Sequence, residues 1–275
     1  MTQKTIYDII EETGSIFKER EVFRTDYIPE TYKYRDTQLD IMALYSKGLM
    51  ENQEPTHLLL KGGSATGKTS AVKYFFQILE ERYPNVITVH VNCETHRTEY
   101  KVYSKIYQRL FNKNTSMGGL SVFNIYNRIL DEIVKQEKIL IVALDDFGSI
   151  KATTDLNRTL YSLSRASEIK EGAKVSVFTI TDKETMLFLD PHVVTTYHPI
   201  EVSFLNYRYD EIHSILKDRC RIGYFKSVIS DEIIEDVARY TYDYGDLREG
   251  IRLLSYAGKK AENEGCHKIL KRHFN

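Results

Sequence analysis

The clearest chemistry lies in Gly62-Gly63-Ser64-Ala65-Thr66-Gly67-Lys68-Thr69, with Ser70 following. Glycines let a backbone turn tightly and approach a ligand closely. A lysine and a hydroxyl set just after the last glycine, where a helix begins, add a positive charge and an oxygen to a row of unpaired N–H donors. The set suits phosphates: amides cradle them, Lys68 reaches the terminal ones and Thr69 holds Mg2+. The spacing is that of a P-loop. A glycine turn that merely joins strand to helix is the plainer alternative.

Mg2+ with ATP needs a hard oxygen ligand besides Thr69 and the phosphates. Asp145 ends the most hydrophobic run, Lys138 to Asp145, and is expected to be the Walker B aspartate; the alternative is a helix-capping acid. Asp146 is the candidate to orient water for attack on the γ-phosphate. Asp182 either contacts the same water or caps the following helix. Arg248, at the start of a long helical pattern, would neutralise developing charge, unless it is only a salt-bridged surface residue.

These groups need elements to hold them. Short apolar runs at 57–61, 86–91, 138–145, 174–181 and 200–204 read as strands. Helical periodicity between them, over about 36–50, 68–82, 97–113, 121–136 and 155–166, with a short helix through Met186 and Leu189, predicts an α/β fold with a doubly wound, parallel, five-stranded sheet. Its ligands would lie beyond the carboxyl ends of the strands, where both the P-loop and Asp145 fall. Beyond Asn206 the pattern is helical only, over about 210–223, 230–242 and 246–263. Two domains are therefore expected, 1–205 and a small all-helical 206–275. Residues 1–20 read as a surface helix and 21–34 as extended. His90, in the second strand, reads as a satisfied core or strand-edge residue rather than a ligand, and the basic end with Lys268, Lys271 and Arg272 as a frayed, solvated helix.

Composition narrows the class further. With 38 Lys plus Arg against 39 Asp plus Glu, no global field draws the chain to nucleic acid, so such binding would need a local patch. One candidate is the 97–113 helix, where Arg97, Lys101, Lys105, Arg109 and Lys113 recur every four residues. They either face phosphates or form a plain solvated face. Cys93, Cys220 and Cys266 have no paired spacing, which points to reduced thiols, no structural zinc and a cytoplasmic setting. The longest apolar run, Ile139 to Leu144, is too short to span a bilayer, so no membrane partner is expected.

The order of these pieces resembles the AAA+ replication initiators of archaea and eukaryotes, of the origin recognition complex subunit 1 and cell division control protein 6 type. It is carried by Ile16-Phe17-Lys18, Asp26-Tyr27-Ile28-Pro29 and Tyr34-Arg35-Asp36 before the P-loop, then Val91-Asn92-Cys93, Asp145-Asp146, Phe204 with Tyr207, and Gly245-Asp246-Leu247-Arg248. The resemblance implies an AAA+ nucleotide-binding domain at 1–205, whose N-terminal segment 1–34 packs at the adenine, and a helical lid at 206–275. It implies ATP or ADP with Mg2+ as cofactors. Tyr27, Ile28, Pro29, Arg35 and Tyr207 would join the P-loop around the nucleotide, with Arg248 as sensor 2 and Asp182 in the sensor 1 position. Arg97, Lys101, Lys105 and Arg109 would contact double-stranded origin DNA. The replicative helicase and other initiator subunits would be partners, and the setting would be chromosome-associated.

Several positions depart from that pattern. Ala65 stands for a glycine, Asp146 for a glutamate, Asp182 for an asparagine, and His192, in Asp190-Pro191-His192-Val193, where the family carries an arginine that reaches a neighbour's ATP site. Slow turnover is therefore expected, with the nucleotide acting as a switch. The winged-helix domain of the family does not appear before Asn275, which implies a shortened chain or a member lacking it. Three functions remain open: an ATP-dependent initiator that recruits helicase, a DNA-associated regulatory ATP-binding protein without loading activity, and a small-molecule P-loop kinase.

Overall fold

The structure is a computed structural model that describes residues 15–51, 53–111, 119–181 and 189–274. It divides into two compact units, Glu30–Leu205 and a discontinuous one of Met1–Pro29 with Asn206–Asn275. The first unit runs α1 (Asp36–Met50), β1 (Leu58–Gly62), α2 (Lys68–Arg82), β2 (Val86–Asn92), α3 (Glu99–Phe111), α4 (Val122–Lys135), β3 (Ile139–Asp145), α5 (Thr153–Ser164), α6 (Ala166–Ile169), β4 (Lys174–Thr181), α7 (Pro191–Tyr197) and β5 (Ile200–Phe204).

The strands form one sheet in the order β2-β3-β4-β1-β5, every pair parallel. All seven residues of β3 are buried, because apolar helices cover both faces of a parallel sheet and leave no solvated side to alternate toward. Leu140, Val142 and Leu144 point to a core shared with α3, α4 and α5. Ile141 and Ala143 point to the opposite core, shared with Met42 of α1 and Val72, Phe75 and Phe76 of α2. The doubly wound, parallel, five-stranded sheet expected from the sequence is what forms.

In the other unit, α8 (Tyr209–Gly223), α9 (Asp231–Tyr244) and α10 (Leu247–Asn263) follow one another. Ser230 caps α9 by accepting from Ile233 N–H, Gly245 ends it at φ 78°, and Asp246 caps α10, each the residue type its position favours. Residues 15–29 pack on these helices, and this corrects the expectation that segment 1–34 belongs wholly with the sheet domain. Phe17 bridges to Tyr224 and stacks with it at 5.0 Å, Phe23 lies 4.7 Å from the same ring, and Glu262 accepts from Ser15 Oγ, Ile16 N–H and Arg20. The sheet unit ends at Leu205 and the helical one resumes at Asn206.

Four other expectations differ. Residues 20–23 make a 3-10 turn within the stretch read as extended. Helix α3 begins at Glu99, two residues late, with Thr98 Oγ1 accepting from Lys101 N–H. Helix α7 was not foreseen, although Asp190 before Pro191 is a helix-start signal. The basic C-terminal end is anchored: Lys271 pairs with Glu232 and Asp236, and His273 is fully buried. Its Nδ1 accepts from Leu270 N–H, so the ring proton sits on Nε2 and points to Glu264. The predicted helix at 1–20 lies largely, and that through Met186 mostly, outside the described residues, as do Lys113 and Asp182.

Candidate functional site

Strand β1 delivers the glycine loop, and its last residue, Gly62, pairs with Phe204 of β5 so closely that a Cβ there would collide with the Phe204 carbonyl. Only glycine permits that approach. Beyond it Thr66 Oγ1 donates to Gly63 O at 2.9 Å, closing the loop, and Gly67 at φ 88° turns the chain into α2. Ser70 lies in the first turn of that helix. Ala65 is also left-handed, at φ 55°, which explains physically why a glycine suits this place.

The Lys68 ammonium lies over the loop, donating to the Gly62 and Gly63 carbonyls at 2.9 and 2.7 Å. Thr69 Oγ1 is 2.9 and 3.1 Å from the two oxygens of Asp145. Two residues 76 apart thus meet at the ends of β1 and β3. Asp145 is only 3% exposed, so its charge requires donors. Asp146 N–H supplies one to Oδ1, and His90 Nε2 lies 2.9 Å from Oδ2. His90 is thus a satisfied, largely covered strand residue whose partner is Asp145. A buried carboxylate beside a hydroxyl is a hard-oxygen donor set, and it fits Mg2+.

Asp146 is exposed and left-handed at φ 52°, a conformation that aspartate tolerates better than most residues. Cys93, whose N–H donates to Asp145 O, is buried; burial, then the charges of Asp145 and Asp146, push its thiol well above the usual range. A thiol so placed has little thiolate character and is inert.

Sequence reasoning missed what holds the loop from behind. Arg35, 5% exposed, donates to Thr66 O at 3.0 Å, Tyr34 O at 2.9 Å and Leu205 O at 2.8 Å. These bonds tie the loop to the end of β5, so Arg35 acts on the loop backbone. Tyr32 donates to Gly67 O at 2.9 Å and stacks on Tyr74. No spacing in the sequence marks Tyr32.

Tyr27, Ile28, Pro29, Tyr207 and Arg248, which the resemblance assigns to the nucleotide, belong to the helical unit. Tyr27 lies beneath the Arg219 guanidinium at 4.5 Å, and Arg219 also donates to Val22 O and Tyr27 O. Ile28 and Pro29 are half-buried and Tyr207 is buried. Arg248 folds back on Asp246, with bonds at 3.1 and 2.7 Å that hold this carboxyl below the usual carboxylate range.

Four members of the basic stripe lie among the described residues. Arg97 precedes α3 and donates to Glu94 O, and Arg109 pairs with Glu80 at 2.8 Å. Lys101 is exposed and Lys105 half-buried on the helix between them. His192, on α7, is exposed and meets the Tyr161 ring edge-on, with the ring centroids 5.4 Å apart.

Residues 51–186 match the AAA domain family, and 213–275 match the Cdc6 AAA+ ATPase-type lid domain. The chain is 34% identical over 273 residues to ORC1-type DNA replication protein 2 of Methanothermobacter thermautotrophicus, covering 99% of this chain and 72% of that one. It is 39% identical to the protein of the same name from Methanosarcina mazei, over 96% and 71% of the two. The Aeropyrum pernix ORC1 protein, solved in complex with DNA, superposes with a TM-score of 0.84 at 25% identity, over 95% of this chain and 69% of that one. Among the described residues no helix is long and apolar enough to cross a membrane. The chain belongs to the ORC1-type DNA replication proteins, with the AAA+ and Cdc6-type lid domains of that family.

Proposed function

We propose that this protein is an ATP-dependent replication initiator that engages double-stranded origin DNA and assists recruitment of the replicative helicase, alongside other initiator subunits, with slow hydrolysis as the switch. The observation that carries the nucleotide reading is the meeting of Thr69 and Asp145 beneath the Lys68 loop. In it the loop amides of residues 62–70 bind phosphate oxygens, Lys68 leaves its carbonyls for the terminal phosphates, and Thr69 with Asp145 holds Mg2+. When bound, Mg2+ neutralises charge on the phosphates. Asp146 orients water, from a backbone position that keeps its short side chain exposed. Tyr27, Ile28, Pro29 and Tyr207 are read as the adenine surroundings, and Arg248 and Asp182 as the two sensors; chromosome association in the cytoplasm goes with this role.

Lys101 and Lys105 are the DNA contacts this reading favours, with Arg97 and Arg109 flanking them. The deciding experiment measures origin-DNA binding with ATP, ADP and no nucleotide, for wild type, Lys68→Ala and the Lys101→Glu/Lys105→Glu double variant. Lys68→Ala should abolish the nucleotide effect, and the double variant should lose about two units of the log-log salt slope. A salt slope and affinity unchanged in the double variant would remove α3 from the DNA interface. A second reading, a regulatory ATP-binding protein without helicase loading, is favoured by His192 at the place of the family's arginine. Helicase retention on origin DNA with and without ATP separates the two.

A further inference from the structure

We propose that His90 is a positioning residue of the Mg2+ site, holding the Asp145 carboxylate in the orientation that receives the ion together with Thr69. The inference deepens the nucleotide reading above and rests on it.

The register makes the contact. In the parallel pairing of β2 with β3, Asn92 lies beside Asp145 and His90 beside Ala143. Side chains alternate across a sheet, so His90 and Asp145 emerge on one face, one step apart along the strands. The residue beside His90, Ala143, carries only a methyl group, which leaves the imidazole room to lean along the strand. Nε2 reaches Asp145 Oδ2 at 2.9 Å, and the ring is largely covered, its side chain 19% exposed. A carboxylate can only accept, so Nε2 carries the proton and donates.

The partition of donors over the carboxylate gives this bond its role. Oδ1 receives Asp146 N–H at 3.1 Å and Thr69 Oγ1 at 3.1 Å. Oδ2 receives Thr69 Oγ1 at 2.9 Å and His90. The Asp146 amide is fixed by the backbone and the Thr69 hydroxyl rotates, so on Oδ2 the ring is the donor that does not depend on the state of Thr69. Without it, Oδ2 is held only by the rotating Thr69 hydroxyl. Partners that orient a metal-binding carboxylate typically change metal affinity 10- to 100-fold when removed.

The test uses the whole chain with mant-ADP as probe. Affinity is measured first in EDTA, and Mg2+ is then titrated to obtain its half-saturating concentration, for wild type, His90→Phe, His90→Ala and His90→Gln. His90→Phe and His90→Ala should raise the half-saturating Mg2+ concentration about 10-fold, with mant-ADP affinity in EDTA unchanged. His90→Gln, whose side-chain amide still donates, should return to within about 3-fold of wild type by the same reasoning. Wild-type Mg2+ dependence in His90→Phe and His90→Ala would overturn the proposal. So would an equal loss of mant-ADP affinity in EDTA, which marks a general structural defect, or a failure of His90→Gln to recover. Should His90→Phe not fold, His90→Ala, which adds no bulk, decides. Absence of mant-ADP binding by the wild-type protein under any condition would instead remove the nucleotide reading itself.

Discussion

Single residues at this site sit in backbone states that their types only partly favour. Ala65 holds φ 55° where a glycine would rest without strain, and an alanine in the left-handed region costs about 1–2 kcal/mol. Ala65→Gly regains part of that and loses part to the greater freedom of the unfolded chain. A net gain of about 0.5–1 kcal/mol in urea unfolding is expected, with mant-ADP affinity preserved because the loop already follows a glycine path. Destabilisation by this substitution would show that the Ala65 methyl makes packing that outweighs the strain. Asp146 presents the opposite balance. Lengthening it, Asp146→Glu, carries the carboxylate one methylene farther toward a bound γ-phosphate and should raise single-turnover ATP hydrolysis about 10-fold, within the range of positioned general bases. The same change places a less tolerant residue at φ 52° and should cost about 0.5–1 kcal/mol in stability. Hydrolysis that stays at the wild-type rate would relieve Asp146 of its part in slow turnover.

At the scale of elements, β1 is held at its start as firmly as the glycine loop holds its end. His57 Nδ1 accepts from Val177 N–H at 3.2 Å, its ring stacks on Tyr197 at 5.4 Å, and the Tyr197 hydroxyl donates to Leu58 O while meeting Thr179 at 2.8 Å. Burial lowers the His57 pKa to about 4. The unfolded chain therefore binds a proton as pH falls through about 6.5, while the folded chain does not until about 4. The stability contributed by neutral His57 is complete above pH 6.5 and is lost as pH falls from there toward 4, by about 3 kcal/mol. His57→Asn keeps an acceptor for Val177 without a titrating group. The wild-type advantage over His57→Asn in urea unfolding should thus shrink by about that amount between pH 7 and pH 4; a pH-independent difference would contradict it. The strands of this sheet were legible because each is a short apolar run bounded by polar turns, and β3 most of all, since burial on both faces leaves no polar alternation. The glycine loop and Asp145 were legible for a related reason: phosphate and Mg2+ chemistry fixes residue types at fixed spacing. What could not be read was contact across the fold. Nothing in the spacing of Arg35, Tyr32 or His90 tells that they reach Thr66, Gly67 and Asp145, because those bonds depend on strand order and register.

For the whole molecule, the same limit explains the one domain boundary that differed. Composition along the chain shows the change from α/β to helical near residue 205, but a segment from the far end of the sequence completes the helical unit. The link is specific: Glu262 on α10 accepts from Ser15 Oγ at 2.7 Å, Ile16 N–H at 3.0 Å and Arg20 at 2.6 Å, with Ser15 and Glu262 separated by 247 positions. Beside it Phe17 lies against Gly258, where any side chain would strike the Phe17 ring. Closing so long a loop is costly in chain entropy, so these few contacts decide whether residues 15–29 stay on the unit. Glu262→Ala removes the acceptor shared by three donors and leaves the Phe17 packing intact. Global stability should fall by about 1–2 kcal/mol. Hydrogen exchange should locate the effect: amides of residues 16–23 should exchange about 10-fold faster through local opening, while those of β1, β3 and β4 change only with the global term. Equal acceleration in both units would mean that the segment has no independent opening and is secured by its aromatic contacts. Selective acceleration would establish that Tyr27, Ile28 and Pro29 are carried by the helical unit through an anchor at Glu262, so that a change at the end of α10 reaches the residues read as the adenine surroundings.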